Sequence, residues 1–571
     1  MPEIDRPWLS HYDKGVPHAP RIESKPVFDI LDRAAENWPD RPAVSFQNWT
    51  ISYAKLARLA GILAANLRKQ GLRRGERVAV MLPNTPQTII AYWGILKAGG
   101  TVVFTNPLYM ETEIVHQFKD SGARFLITLD LLWPKIDALR PQLSIEKYFV
   151  TTIADGLRFP LNLLYKLKSW REGQNGKVPS GDDAVQPWSA LMRGMSTYEI
   201  KGLIPEKELA LLQYTGGTTG LPKGCMVTHA GLYANVMQCV AMLPGVGAQR
   251  ELFIGVLPYF HIYGLTVCLN LCTALAATQI PFPRYVPGDV LKTIHKDRPT
   301  VFPGAPSVYI SLLQQKNVSS YDLSSIKYCV SGSAPMPVEW LEQFKAATGA
   351  SICEGYGLSE ASPVTHINPL HGAAKNGSIG LPVPGTDAKI VDMDLGGPHL
   401  GPGKVGELVV RGPQVMAGYF GKPDETADVL RNGWLYTGDL AYMDEDGYFF
   451  IVDRKKDMII SAGYNIYPRE IDEILHQHPK IQEAVAVGIP CDSRGEVVKV
   501  YIVTKPDEKL TKAEVIAFCR SKLAGYKVPR QVEFRDSLPK TMVGKVLRRA
   551  LRAEEVQRTP ACPATKEEVE G

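Results

Sequence analysis

Several features that would assign the chain to a class at once are missing. It carries nine cysteines in 571 residues and none stands in a CxxC pair, so neither a zinc ribbon nor a dithiol redox motif is in view. Their odd, scattered usage fits a reducing compartment. Cys268 and Cys272 lie four apart in apolar surroundings and are expected to be core residues. The N-terminal stretch MPEIDRPWLSHYDKG lacks the apolar run of a secretory signal, which gives the expectation of a cytoplasmic protein. The longest uncharged run, Leu252 to Pro283, is broken by Pro258, Gly264 and Asn270. Its most apolar part, Ile262 to Ala277, is shorter than the roughly 20 residues of a spanning helix, so it is expected to form a buried wall. The net charge is only +5, and no basic and aromatic interleaving argues for nucleic acid. There is no internal repeat. A Walker loop is absent too, since Gly176-Lys177 and Gly544-Lys545 are not followed by Ser or Thr.

What remains is an ordinary globular composition, 45% hydrophobic and 22% charged, at a length that suggests two or more domains. Leu56, Leu59, Leu63 and Leu67 repeat at helical spacing before Gly71. Arg77 to Leu82 reads as a buried strand, Gln87 to Lys97 as a helix, Thr101 to Phe104 and Ala123 to Thr128 as further strands. That alternation implies an α/β fold with parallel pairing through crossovers. The texture changes at DRKKD, Asp453 to Asp457. After it come a helix near Glu470 to His476, strands at Glu483 to Ile489 and Val497 to Val503, and a capping box of Thr511 with Glu514. The expected organisation is a large layered α/β domain over 1–453, a hinge at 454–457, a smaller α+β domain over 458–552, and a polar, disordered tail over 553–571.

The strongest local signal is YTGGTTGLPKG, Tyr214 to Gly224, which follows an apolar run at Leu209 to Leu212. Gly216, Gly217 and Gly220 let backbone N–H groups approach phosphate oxygens. Thr215, Thr218 and Thr219 add hydroxyls, one of which can ligate Mg²⁺, and Lys223 adds a positive charge. A glycine-rich surface turn would be an expensive use of the same residues.

This loop resembles the phosphate-binding signature of the adenylate-forming superfamily, which comprises acyl-CoA synthetases, peptide-synthetase adenylation domains and luciferases. Many members have Ser where this chain has Gly216; the Gly form is similar to the long-chain fatty-acyl-CoA ligases of bacteria. Further motifs follow in the family's order. PYFHIYG, Pro258 to Gly264, resembles the border of an acyl pocket, which implies pocket roles for His261, Tyr263 and Leu265, although a lone His beside an apolar stretch is more often a satisfied core residue. SGSAP, Ser331 to Pro335, resembles the adenine-binding turn with Gly332, Ser333 and Ala334. EGYGLSE, Glu354 to Glu360, implies ATP-binding roles for Glu354, Gly355, Tyr356, Gly357 and Ser359, with Tyr356 stacked on adenine, Ser359 in the place of the family's frequent Thr, and Glu360 as Mg²⁺ ligand with Thr218.

In the second half, WLYTGDL (Trp434 to Leu440) carries Asp439, the resemblance's ribose ligand. DRKKDMIISAGYNIYP (Asp453 to Pro468) supplies Arg454 as second ribose contact, Lys456 as the residue about which the C-terminal domain swings, and Gly463 beside a coenzyme A channel. LPKTMVGK (Leu538 to Lys545) ends on Lys545, implied to bridge carboxylate and α-phosphate during adenylation. Many members have Ser where this chain has Val543. The implied catalytic set is Lys545, Glu360 and Thr218. The implied chemistry is activation of a carboxylate by ATP as acyl-AMP, then transfer to coenzyme A, with Mg²⁺ and no protein nucleophile.

Similarity through the glycine loop, EGYGL, GSIGLPVPG (Gly377 to Gly385) and DRKKDMI points to long-chain acids. Leu157 to Arg171, LRFPLNLLYKLKSWR, combines leucines, aromatics and four basic residues. It suits a segment on the inner membrane surface, and equally an amphipathic helix packed on the domain. Two rivals stay open: a fatty-acyl-AMP ligase loading an acyl carrier protein, and a catalytically silent lipid or nucleotide sensor. Oligomeric state is not legible, and a dimer is compatible with the sequence.

Overall fold

A computed structural model describes the chain apart from residues 1–4, 48, 173–175, 177, 180, 216–221, 248–249, 394–397, 463, 492–493, 541–545 and 558–571. Two compact units emerge, one formed by 1–387 with 410–435, the other by 388–409 with 436–571.

The first unit is built on two mostly parallel sheets. In one, Val185–Pro187, Lys147–Thr151, Phe125–Leu129, Arg77–Met81, Thr101–Phe104, Leu209–Thr215 and Lys223–Thr228 lie side by side. Arg77 pairs with Thr101 in parallel register, joined by the helix Pro86–Lys97, as the strand–helix–strand pattern requires. The other sheet has nine strands, with Leu252–Gly255, Val301–Gly304, Tyr328–Ser331 and Ile352–Gly357 as parallel neighbours. Helices Tyr53–Lys69, Pro86–Lys97 and His229–Ala241 place their apolar faces in one large core that takes Val78 and Val80 from the first sheet and Val44 and Phe46 from the second. Residues 262–277 are buried apart from the half-buried Ala274 and Leu275, and Cys268 and Cys272 lie among the buried ones. No helix among the described residues is long and apolar enough to cross a membrane.

The second unit holds most of the strands Asp387–Val391, Gly406–Arg411 and Trp434–Met443, with Phe449–Arg454 antiparallel to the last. Its remaining sheet centres on the long antiparallel pair Ile481–Cys491 and Gly495–Thr504. One face packs Ile471, Leu475, Val515 and Cys519; the other packs Leu538 and Leu551. The contact division falls earlier in the chain than Asp453–Asp457, while the cores beyond Ile459 draw only on residues from that point onward. Helix Lys512–Arg520 starts at the Thr511/Glu514 capping box. The last helix runs over Arg548–Gln557, past the expected start of the tail at 553. The reason is charge: buried Lys499 takes Glu555 as a partner at 2.9 Å, and Arg535 takes Glu554 at 2.5 Å.

Candidate active site

The glycine-threonine motif connects Leu209–Thr215 to the antiparallel strand Lys223–Thr228 at the end of its sheet, paired Thr215 to Lys223. Gly216, Gly217, Thr218, Thr219 and Gly220 themselves lie outside the described residues. Both stems are latched to the helix Glu111–Ser121: Tyr214 Oη donates to Asp120 Oδ2 at 2.5 Å, and His116 Nε2 donates to the Pro222 carbonyl at 2.9 Å. Gln213 Nε2 donates to the carbonyl of Phe260 at 3.1 Å, tying the hairpin to the PYFHIYG segment.

Glu360 occupies a short 3-10 turn, Ser359–Ala361, after the strand Ile352–Gly357. It meets the hairpin through residues 416–420, which run along the outer edge of Lys223–Thr228. Met226 N donates to Gly418 O, Ala417 N to Met226 O and Phe420 N to Gly224 O, at 2.8 to 2.9 Å. At the near end Met416 N donates to Glu360 O at 2.8 Å. Tyr419 thereby sits between the two motifs. Its hydroxyl donates to Glu360 Oε1 at 2.7 Å, and Lys223 Nζ stands 5.1 Å from the centroid of its ring. Lys223 is also ion-paired with Glu425. Burial, then the adjacent Glu360 carboxylate, push the Tyr419 phenol far above its ordinary range, so it stays a donor. Glu360 keeps its second oxygen without a donor among the described residues. A hard carboxylate held on one oxygen and open on the other fits Mg²⁺.

The strand Tyr328–Ser331 runs into Gly332, Ser333 and Ala334. Ser333 adopts φ +74°, a left-handed conformation that costs a non-glycine residue free energy and marks a shaped turn. Gly332 lies flat against Tyr263, since a Cβ there would come within 3.0 Å of that ring. Tyr263 Oη is anchored to the carbonyls of Gly304 and Val330 at 3.0 and 3.1 Å. Glu354 clamps this region from the neighbouring strand: Oε1 accepts from Met336 N at 2.9 Å and Oε2 from Gly377 N at 3.4 Å. Tyr356 is half-buried, edge-on to His366. Gly355 pairs with Ile367 across the same strand edge. At Gly357 a Cβ would come 2.1 Å from the Pro363 carbonyl, so only glycine fits.

His261 caps the helix that starts at Ile262, its Nδ1 accepting from Tyr263 N at 3.3 Å. Burial pushes its pKa down to about 4, leaving a neutral ring at pH 7. Leu265 is fully buried in the main core. It opens a wider π-helical turn, Leu265–Asn270, from which Thr266 Oγ1 donates to Ser362 O at 3.0 Å, two residues from Glu360.

Asp439 and Arg454 lie in the second unit, directly paired across antiparallel strands with Nε to Oδ1 at 3.4 Å. Lys455 Nζ donates to Glu407 at 3.0 Å and to the Met393 carbonyl at 2.7 Å. The Lys456 carbonyl accepts from Arg552 at 3.2 Å. Gly463 and Lys545 lie outside the described residues; Lys540 and Val546 bridge to each other on either side of 541–545. The first unit thus brings Lys223, Glu360, Gly332 and Tyr263 into one region of folded chain, and the second pairs Asp439 with Arg454.

Four residues of the first region escape sequence reasoning: Tyr419, Glu425, His116 and Asp120. None carries a local signal, because each acts through a neighbour distant in sequence.

A model of the AMP-binding enzyme family matches residues 31–420, and a model of the AMP-binding enzyme C-terminal domain matches 470–545. A long-chain-fatty-acid–CoA ligase of Bacillus subtilis is 47% identical over 97% of this chain and 99% of its own. One from Escherichia coli O157:H7 is 40% identical over 96% and 98%. A feruloyl-CoA synthase of an Amycolatopsis species is 35% identical over 91% and 97%. Among solved structures, the anthranilate CoA ligase AuaEII in complex with anthranoyl-AMP superposes with a TM-score of 0.82 at 27% identity, covering 94% of this chain and 98% of that one. ATP-bound MatB from Rhodopseudomonas palustris gives 0.80 at 27% identity over 92% and 98%.

Proposed function

The chain belongs to the AMP-binding enzyme family, and from that membership we propose that it activates long-chain fatty acids with ATP and delivers them to coenzyme A. It is an adenylate-forming ligase. The observation that carries the site assignment is the meeting of Lys223 and Glu360 on Tyr419, beside the stems of the phosphate hairpin. The names of full-length relatives at 40% and 47% identity support the long-chain acid.

A carboxylate is a poor acyl donor because its leaving group would be oxide. Attack on the α-phosphorus of ATP makes a mixed anhydride and releases pyrophosphate, but an anion must then approach a polyanion. Lys223, and Lys545 from the second unit, supply fixed positive charge where it is needed. Mg²⁺, held by Glu360 and the Thr218 hydroxyl, would add charge on the triphosphate. Gly332 to Ala334 and Tyr356 take the adenine, with Glu354 holding their loop. Asp439 accepts from the ribose hydroxyls with Arg454 beside it. His261, neutral, orients the acid and takes no proton, while Tyr263 and Leu265 wall the acyl side.

Thioester formation needs a different arrangement. The C-terminal residues turn about Lys456, Lys545 withdraws, and the thiol enters past Gly463. The protein works in the cytoplasm and at the surface of the membrane that holds its acid.

The test is coenzyme A-dependent AMP formation across acids from acetate to oleate, with Lys545→Ala as control. Turnover rising with chain length to oleate, and lost in the variant, is expected. Turnover only of short or aromatic acids would overturn the long-chain assignment. Acyl-AMP that accumulates unchanged in the presence of coenzyme A would point instead to a carrier-protein acceptor.

A further inference from the structure

The helix Leu161–Arg171 is inside out. An amphipathic helix on a globular domain turns its leucines inward. Here the residue buried against the protein is Ser169, while Leu163, Leu164, Leu167 and Trp170 are 55%, 57%, 53% and 71% exposed. Phe159, just before the helix, is 77% exposed. At about 100° per residue, Trp170, Leu163, Leu167 and Leu164 occupy roughly a third of the circumference, opposite Ser169. Lys166 and Lys168 flank that stripe on its two sides, and Arg171 follows at its C-terminal end; all three are exposed. Residues 157–171 contain no acid, and the next residue, Glu172, stands 3.9 Å from Lys168.

We infer that this face is the docking surface for an anionic lipid bilayer, with the apolar stripe seated at the headgroup–acyl boundary and Lys166, Lys168 and Arg171 reaching to the phosphates. Apolar side chains between flanking cations are the arrangement that inserts and snorkels at such a boundary. At about 1.5 Å per residue, the helix is roughly half the thickness of a hydrocarbon core, so it lies along the surface. A second copy of the chain is the poorer occupant, because a two-fold contact would set these cations against their own equivalents. The inference gives the proposed membrane contact its place in the chain and rests on the proposed function only for the cargo: a long-chain acid dissolves in the bilayer, and an enzyme seated there draws from that store.

The full-length protein is tested by co-sedimentation with phosphatidylcholine vesicles, with and without about 30 mol% phosphatidylglycerol. Binding is expected on the anionic vesicles and should be weakened by about 0.5 M salt. It should fall at least about tenfold in Leu164→Glu/Leu167→Glu and in Lys166→Glu/Lys168→Glu. Turnover of albumin-delivered oleate should stay within about twofold in both variants, while turnover of vesicle-borne oleate falls with binding. Equal sedimentation of wild type and variants would overturn the inference. So would a wild-type dimer that either variant converts to monomer, since the helix would then be a protein interface. Normal vesicle binding with no turnover of any acid would leave the docking surface standing and sink the ligase assignment instead.

Discussion

The Tyr419 hydroxyl donates a 2.7 Å hydrogen bond to Glu360 Oε1. Tyr419→Phe keeps the ring beneath Lys223 and removes only that donor. A hydrogen bond to a charged group contributes about 1.5–3 kcal/mol, so the Mg²⁺ concentration for half-maximal pyrophosphate release should rise about tenfold or more, with partial rescue at high Mg²⁺. Tyr419→Leu should also raise KM for ATP. A Tyr419→Phe enzyme with unaltered Mg²⁺ dependence would remove this tyrosine from the site.

Lys223 is held by Glu425 on the helix Pro423–Val429. In the proposed role of Lys223, incoming phosphate competes with that carboxylate. Glu425→Gln should therefore lower KM for ATP by about two- to fivefold, with kcat nearly unchanged, the modest size reflecting a partly exposed pair. Lys223→Met should reduce kcat/KM by about 10²–10³. Steady-state titration of ATP at fixed oleate separates the two.

Lys545→Ala should split the reaction. Pyrophosphate release from ATP and oleate should fall by about 10²–10³, while coenzyme A consumption from pre-formed oleoyl-AMP should fall by less than about threefold, since the proposed role of Lys545 is confined to the first step. Equal losses in both assays would contradict the proposed withdrawal of this lysine.

Acid should destabilise the first unit at its buried histidines. Burial lowers the pKa of His229 to about 4 and that of His366 to about 3. Unfolded, both return to the ordinary value near 6.5. A depressed folded value means that the unfolded chain binds the proton first, so stability is complete above about pH 6.5 and is lost as pH falls toward 4 and 3. Between about pH 6.5 and 4.5, each histidine can contribute up to about 3 kcal/mol of that loss. Thermal unfolding followed from pH 7.5 to 4.5 should show Tm falling below pH 6.5, with a shallower fall in His229→Gln.

Much of the fold is legible because local and global preferences agree. RVAVML, followed by a helix from Pro86 and TVVF, can bury its apolar residues only as a parallel crossover, and that is the pairing found. Thr511 and Glu514 cap a helix from sequence alone, since every partner lies within one turn. The tertiary supports are not legible: His116 and Asp120 stand about a hundred residues before the hairpin stems they brace at Pro222 and Tyr214, and nothing near them in sequence sets them apart. The same holds for Tyr419, whose hydroxyl has a purpose only once residues 416–420 run beside Lys223–Thr228. The tail misleads for a different reason. Its composition is polar, but buried Lys499 draws Glu555 into an ordered helix.

The π-turn at Leu265–Asn270 gives the interior a place that can absorb a change in chain length. Such a turn is an α-helix holding one surplus residue. Deleting one residue there closes it, while the helix beyond keeps its facing, because the wider turn sweeps about the same angle as an α-helical stretch one residue shorter. Leu271 and Cys272 would go on packing with Phe253 and Val301. Two chains one residue apart in this stretch would share the packing beyond it and differ only at the turn itself.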